Sequence, residues 1–329
     1  MFSNKEEYKE YLDKQQVDIS DLENDNYLEH STSGEIILKK QDYKISAINV
    51  ENYTNCLNWI LLKDKKTMAL LKRPFGDIYR SLTKQQYYIS LYNNILLPQI
   101  AKQLQNKSAI YYIVEGARNT KQILTTDFKD KDEELIHGEE ILEEVNGDIN
   151  ELEIQKIVNC IEKYLLENDA KSQDIDTIKK EFIKQSLFNR FVKQSDENNH
   201  NWGILINKKE NRARIAPIYD LDCCCDIGTL RKHVRKTSDG SQYDFKAFFK
   251  EFGNNKWFEN YAKEIIEDFN INKAINDAKL ETKIEIPSEI KEHYKNFFGE
   301  RFYELKSAYK QYLENNLNQE NSYIEKEEK

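Results

Sequence analysis

An aspartate, an asparagine and a second aspartate stand in an order suited to metal-assisted chemistry. Asp196 and Asn201 lie in the polar run SDENNHNWG, and Asp220 ends the apolar run ARIAPIYD. A carboxylate beside a hydroxyl can orient it and accept its proton, and carboxylate and amide oxygens are the hard ligands that Mg²⁺ prefers. The pattern therefore predicts a magnesium nucleotide site in which Asp196, Asn201 and Asp220 supply these two roles.

The elements that must position these residues come from a chain of 329 residues, of which 33% are charged and 39% hydrophobic. This length supports a sizeable core, in one two-lobed domain or two small ones. No apolar run approaches the roughly 18 residues of a membrane span, and the first residues are charged, so no membrane contact and no secretory leader are predicted. We expect folding in the cytoplasm, with export as an effector left open.

The cysteine spacing and the net charge argue against disulfides, a zinc site and general nucleic-acid binding. Five cysteines, three of them consecutive at 223–225, lack the spacing of disulfide pairs or of zinc ligands. The net charge is −9 with both signs interspersed, so general binding to nucleic acid is not expected. The basic stretch 231–236 (RKHVRK) is either a solvated turn or a contact for an acidic or phosphorylated substrate.

The first half of the chain predicts a small sheet with one long helix. Short apolar runs broken by polar pairs from 34 to 72 predict antiparallel strands, including a hairpin that turns at 64–66. Residues 81–105 have helical spacing, interrupted by Pro98. The runs SAIYYIVE and KQILTTDF predict a second pair of strands.

The second half predicts mostly helix from about residue 130. His137, in ELIHGEEIL, is predicted to lie on a loop before a helix. Amphipathic spacing then predicts helices over 151–169, 176–194, 243–252 and 293–313.

The motifs resemble those of the HipA-like branch of the protein-kinase-like superfamily, including its short, CtkA-like serine/threonine kinases. A helix ending in FNRFV, the D-x4-N spacing before WG and a following APIYD carry the resemblance. It covers about 35 residues strongly and the rest only through the order of elements.

The resemblance implies an α+β, two-lobed, protein-kinase-like fold. The expected divisions are a helical extension at 1–30, a small antiparallel-sheet N-lobe at 31–128, a larger, mainly helical C-lobe at 129–315 and a flexible polar tail at 316–329. The implied activity is transfer of the γ-phosphoryl of Mg-ATP to a serine or threonine hydroxyl of a protein. Asp196 would then be the catalytic base, Asn201 a magnesium ligand and Asp220 the bridge between metal and phosphates.

Lys72, at the end of TMALLK and before RP, resembles the family lysine that holds the α and β phosphates. The helix that follows has KQQ at 84–86 where an acidic partner is expected. The partner of Lys72 is therefore left open among Gln86, Asp220 and Glu115.

Further nucleotide contacts are predicted from where residues stand in the expected order of strands and hinge. The STSG run at 31–34 offers amides and hydroxyls to phosphate through Ser33 and Gly34, although the same run is typical of a simple turn. Adenine is expected to lie at the hinge, near Thr126 and Phe128. Autophosphorylation within 31–33 is a further hypothesis. The protein substrate and the oligomeric state stay open.

The pattern also departs from the family. Asn198 stands where the family usually has histidine, the helix lacks the expected glutamate, and no clear glycine-rich loop is present. These three departures favour a pseudokinase acting as a binding module. A second alternative uses Asp220 and Asp222 as a DxD pair, either for metal-dependent sugar-nucleotide transfer or in a phosphatase that expects threonine or valine where Cys224 stands. Asp222 and Asp226 are either solvated loop charges or additional metal ligands.

Overall fold

The computed structural model describes residues 29–30, 36–37, 43–45, 57–62, 68–72, 82–115, 121–130, 132–227 and 233–327. Most of the helical extension predicted at 1–30 lies outside these ranges. So do the predicted phosphate-binding residues Ser33 and Gly34 and the candidate autophosphorylation sites at 31–33.

The N-terminal half builds one seven-stranded sheet in the order β1-β2-β6-β7-β5-β4-β3. Neighbouring strands are antiparallel, except that β2 runs parallel to β6. The β4–β5 hairpin and the β6–β7 pair confirm the two strand pairs that the apolar runs predict. The strands are β1 (Glu29–His30), β2 (Ile36–Ile37), β3 (Tyr43–Ile45), β4 (Leu57–Leu62), β5 (Met68–Lys72), β6 (Tyr111–Glu115) and β7 (Lys121–Thr126).

One long helix, α1 (Lys84–Gln103), joins β5 to β6. Its start is fixed by a capping box, in which the Thr83 hydroxyl accepts from the amide of Gln86 and the Gln86 side chain accepts from the amide of Thr83. The predicted interruption at Pro98 is wrong, because the helix continues through it. Leu96 and Leu97 are fully buried beside Pro98, and this packing outweighs the loss of one backbone hydrogen bond.

The C-terminal half holds a three-stranded antiparallel sheet, ordered β10-β9-β8, and the remaining helices of the described chain. Residues 133–137 form a strand rather than the predicted loop, because they pair with β9 some seventy positions later, a contact that local spacing does not encode. These elements are β8 (Glu133–His137), α2 (Gly138–Glu144), α3 (Ile154–Glu167), α4 (Ser172–Phe191), β9 (Gly203–Asn207), β10 (Arg212–Ile215), α5 (Phe245–Phe252), α6 (Lys256–Asp268), α7 (Ile271–Thr282) and α8 (Ser288–Glu327).

The helical core follows the predicted amphipathic spacing. The apolar positions of α3 and α4 are buried and pack with aromatic residues of α5, α6 and α8. The buried positions of the two helices include Ile154, Ile157, Val158, Ile161, Tyr164, Leu165, Ile178, Phe182, Ile183, Leu187, Phe188 and Phe191. The architecture is therefore the expected α+β arrangement, with a small sheet-rich lobe and a larger, mainly helical lobe.

The C-terminal helix α8 continues to Glu327, so most of the segment predicted as a polar tail is helical. The segment contains glutamate, lysine and glutamine, which are good helix formers. No helix in the described ranges is both long and apolar enough to cross a membrane.

Candidate active site

Lys72, the last residue of β5, places its ammonium group between two carboxylates. Its Nζ atom lies 2.9 Å from Oδ1 of Asp220 and 2.9 Å from Oδ2 of Asp222. Burial alone would lower the pKa of Lys72, but the two carboxylates outweigh it and raise that pKa well above its usual value. The lysine is therefore a cation at neutral pH, held against the loop that follows β10.

The other two open partners of Lys72 are engaged elsewhere. Gln86 is part of the cap of α1, and Glu115 forms an ion pair with Lys121 at 3.0 Å. Of the three residues left open by the sequence, Asp220 is the one in contact. Asp222 is a partner that sequence reasoning missed.

Asp222 faces the protein interior rather than solvent. It is 5% exposed, and its Oδ1 atom accepts a hydrogen bond of 2.7 Å from the side-chain amide of Asn94 on α1. Burial raises the pKa of Asp222, and the Lys72 ammonium opposes this effect. The interpretation of Asp222 as a solvated loop charge is therefore wrong; Asp226, by contrast, is exposed and pairs with Lys193 at the surface.

Groups from both lobes hold the backbone of this loop. Asp220 adopts a left-handed conformation, with φ of 57°, which costs free energy in any residue but glycine. Its amide donates to the hydroxyl of Tyr111 on β6, and its carbonyl accepts from the side chain of Gln194. The Asn93 side chain of α1 donates to the carbonyl of Cys224 at 3.1 Å. These bonds compensate for the strained backbone and fix the direction of the Asp220 side chain.

Asp196 lies in a short loop after α4 and is 2% exposed. Its Oδ1 atom accepts from the Asn198 side chain at 3.0 Å, and its backbone carbonyl accepts from the Asn201 side chain at 2.8 Å. Gln194 accepts from the amide of Asp196 at 3.1 Å, and the same side chain donates to Asp220. One glutamine thus joins the loop of Asp196 to the loop of Asp220, and the Asn198 side chain supports the Asp196 carboxylate.

The described part of the basic stretch folds back onto the loop of Asp196. The amide of Glu197 donates to the carbonyl of His233 at 2.5 Å, and the Glu197 carboxylate accepts from the amide of Arg235 at 2.8 Å. The Arg235 guanidinium is buried, 3.9 Å from that carboxylate and 4.5 Å from the ring centre of Phe182. The interpretation as a solvated turn is therefore wrong for Arg235. His233 is exposed, with Nδ1 3.6 Å from Asp196 Oδ1.

Arg235→Met is expected to destabilise the protein by about 3–5 kcal/mol, because it leaves the buried Glu197 carboxylate without its cation. Burial already raises the pKa of Glu197. A carboxyl group whose folded-state pKa is raised favours the folded state at low pH and loses that contribution as pH rises through the folded pKa. The deficit should therefore be smaller at about pH 5 than at about pH 8 in chemical unfolding. The double variant Glu197→Gln with Arg235→Met should recover stability at the higher pH. The explanation would be contradicted if the loss of stability were the same at both pH values and unchanged by Glu197→Gln.

Of the two residues predicted at the hinge, Phe128 lies beside the loop of Asp220. Thr126 ends β7 and pairs with Ala69 of β5. The ring of Phe128 stacks on that of Tyr219, with centroids 5.6 Å apart and planes 19° from parallel. Because Tyr219 directly precedes Asp220, the segment after β7 borders the loop that holds Lys72. The predicted adenine contacts of Thr126 and Phe128 stay a prediction.

The donor set suits a magnesium ion that is held partly by phosphate oxygens. Within the described ranges, no group of three or more His, Cys, Asp or Glu residues has the arrangement of a metal site. Mg²⁺ is commonly bound by one or two carboxylates together with substrate phosphates and water. Asp220 has a side chain that is 38% exposed. The amide nitrogen of Asn201 is bonded to Asp196, so its oxygen is the atom that it can offer to a cation.

The two lobes meet through Lys72 and the loop at 220–224, and a solved structure of the same arrangement shows that the fold is protein-kinase-like. The structure is similar to the crystal structure of the proinflammatory kinase CtkA of Helicobacter pylori, with a TM-score of 0.60 and 16% identity, over 84% of this chain and 98% of that one. It is also similar to a chain of the toxin–antitoxin complex of HipA, HipB and operator DNA of Shewanella oneidensis MR-1, with a TM-score of 0.48 and 13% identity, over 91% and 72%. No protein-family model and no curated protein sequence matches the chain. At 16% identity, the likeness to CtkA establishes the fold and not the activity.

Proposed function

We propose that this chain is a serine/threonine protein kinase of the HipA and CtkA type that uses Mg-ATP. The observation that carries the proposal is the contact of Lys72 with Asp220, next to an Asp196 loop joined to the Asp220 loop by Gln194. Lys72 comes from the small lobe and the two aspartates from the large lobe. Their meeting at one place supports a nucleotide site between the lobes.

Each residue then has a defined task. Lys72 binds the α and β phosphates, and Phe128 and Thr126 border the adenine. Asn201 and Asp220 hold magnesium, which neutralises charge on the phosphates. Asp196 orients the acceptor hydroxyl and takes its proton as the oxygen bonds to the γ-phosphorus. The bond from the γ-phosphorus to the β,γ-bridging oxygen breaks, and ADP leaves with that electron pair.

Two features that favour a pseudokinase have replacements in the structure. Asn198 supports Asp196 in place of the family histidine, and Asp222 holds Lys72 although the helix lacks an acidic partner. The same burial of Asp222 disfavours the DxD alternative, which needs both aspartates at the metal. These contacts favour an active enzyme over a binding module.

The substrate is proposed to be a protein with a serine or threonine hydroxyl, in the cytoplasm or in a host cell. Autophosphorylation within residues 31–33 stays part of the proposal, since that run would flank the nucleotide. A phosphopeptide map without a site there, after incubation with Mg-ATP, would remove this detail alone.

Calorimetric titration with a non-hydrolysable ATP analogue, with and without magnesium, tests the site. Wild type should bind the analogue more tightly with Mg²⁺, and Asp220→Asn should lose most of the magnesium-dependent gain. Asparagine tolerates the left-handed backbone at position 220, so this variant removes charge without adding strain.

Asp226→Asn is the matched control, because residue 226 lies in the same loop, is also left-handed with φ of 56°, and forms an ion pair with Lys193 at the surface. It should bind like wild type. Nucleotide binding in wild type that does not depend on magnesium, or no binding at all, would contradict the proposal.

A further inference from the structure

We propose that Asp222 and Asn94 act as a pair that positions Lys72, in place of an acidic residue on helix α1. This inference rests on the proposed function, since it assigns Lys72 to the phosphates. It gives the two residues a task that neither the sequence motifs nor the fold assigns to them.

Helix α1 has no acidic residue anywhere between Lys84 and Gln103. It therefore cannot offer a carboxylate to Lys72. The carboxylate comes instead from Asp222 in the loop after β10, with its two oxygens divided between partners. Oδ2 lies 2.9 Å from Lys72 Nζ, and Oδ1 accepts from Asn94 at 2.7 Å. The side-chain amide of Asn94 on α1 thus contacts the Asp222 carboxylate, which in turn contacts the Lys72 ammonium group.

Asn94 is difficult to explain by packing. It is fully buried in the middle of the helix, where it and Asn93 interrupt an apolar run, and asparagine is a weak helix former. Its Oδ1 atom is buried without a hydrogen-bond partner, which costs free energy. The side-chain amide donates to Ser90 within the helix and, over the shorter distance, to Asp222. The contact that compensates for this cost is therefore the one to Asp222.

The two aspartates that contact Lys72 differ in exposure, and this difference separates their tasks. The side chain of Asp222 is 7% exposed and that of Asp220 is 38% exposed. A buried carboxylate whose second oxygen is bonded to an amide keeps one orientation. Asp222 thus holds the lysine from the inside, and Asp220 is left to face a cation and phosphates.

Asp222→Asn tests the pair by calorimetric titration with Mg²⁺ and the ATP analogue. This variant should bind the analogue about tenfold more weakly than wild type, because Lys72 loses its inner partner. Asp226→Asn, the same substitution in the same loop, should bind like wild type. Unchanged affinity would overturn the inference. Tighter binding would overturn it too, since it would mean that Asp222 competes with the phosphates for Lys72.

The reactivity of Lys72 gives a readout without nucleotide. Lys72 is buried, and its Nζ atom is held 2.9 Å from Oδ2 of Asp222. Asp222→Asn weakens this hold and should therefore speed the acylation of Lys72 by an amine reagent several-fold, followed by peptide mass spectrometry, since the side chain leaves its buried position more often. An unchanged rate would overturn the contact. If wild type binds no nucleotide, the proposed function fails, while this experiment still decides the link between Lys72 and Asp222.

Exchanging the two groups separates positioning from general loss of stability. Asn94→Asp alone places two carboxylates face to face and should weaken nucleotide binding further than Asp222→Asn does. In the double variant Asn94→Asp with Asp222→Asn, the carboxylate at 94 can accept from the amide at 222, whose oxygen can face Lys72. Part of the lost affinity should return. Strictly additive losses would contradict the pairing.

Discussion

Asp196→Asn is expected to lower the rate of phosphoryl transfer by about 10²- to 10⁴-fold and to leave nucleotide affinity nearly unchanged. The substitution preserves the size of the side chain, and the carbonyl of residue 196 still accepts from Asn201. What is lost is the carboxylate that takes the hydroxyl proton. Transfer is measured as ADP release and as phosphate incorporated into protein, and affinity by calorimetry.

Asp226→Asn serves as the control for the loss of one negative charge near the site, and it should transfer phosphate at the wild-type rate. Full transfer by Asp196→Asn would show that Asp196 is not the base. Loss of nucleotide binding together with transfer would indicate that the loop at 194–201 had moved, so the affinity measurement decides which explanation holds.

Lys72→Met is expected to abolish magnesium-dependent nucleotide binding and to destabilise the fold by about 3–5 kcal/mol. The lysine is the cation between Asp220 and Asp222, and methionine leaves the buried Asp222 carboxylate without it. Stability is measured by chemical unfolding and binding by titration with the ATP analogue.

The double variant Lys72→Met with Asp222→Asn distinguishes the two effects. Removing the orphaned carboxylate should return much of the stability, but the phosphates would still lack their lysine, so binding should stay lost. If the double variant regained nucleotide binding, the role of Lys72 at the phosphates would be wrong.

Local patterns were sufficient to predict most of the fold. The pairing of β4 with β5 and the amphipathic helices of the large lobe follow from apolar spacing, which is short-range information. The strand β8 and the continuous helix through Pro98 were missed for one shared reason. Each depends on a partner distant in the sequence, since β8 pairs with β9 and α1 packs against β6 and α7.

For the candidate site, too, short-range patterns could be interpreted from the sequence and long-range contacts could not. Asp196, Asn201 and Asp220 stand in a compact motif, so the sequence could name them, and the structure brings Lys72 to Asp220. Asp222 was named only as a DxD aspartate or loop charge, because its direction is set by Asn94, 128 positions away.

A signal for the missed pair does exist in the sequence. Asn93 and Asn94 interrupt the apolar run YISLYNNILL of α1, and two polar residues on a buried helix need partners. The partners are Cys224 and Asp222, both in the loop after β10. The sequence shows that Asn93 and Asn94 need partners, but only the packing of the two lobes shows which residues those partners are.

Incubation with Mg-ATP labelled at the γ-phosphate, followed by mass spectrometry of the chain and of added acceptor proteins, tests the central claim most directly. The account predicts a covalently bound phosphoryl group on a serine or threonine, dependent on magnesium and absent in Asp196→Asn. Tight, magnesium-dependent nucleotide binding without transfer to any hydroxyl would contradict it and identify the protein as a nucleotide-binding pseudokinase.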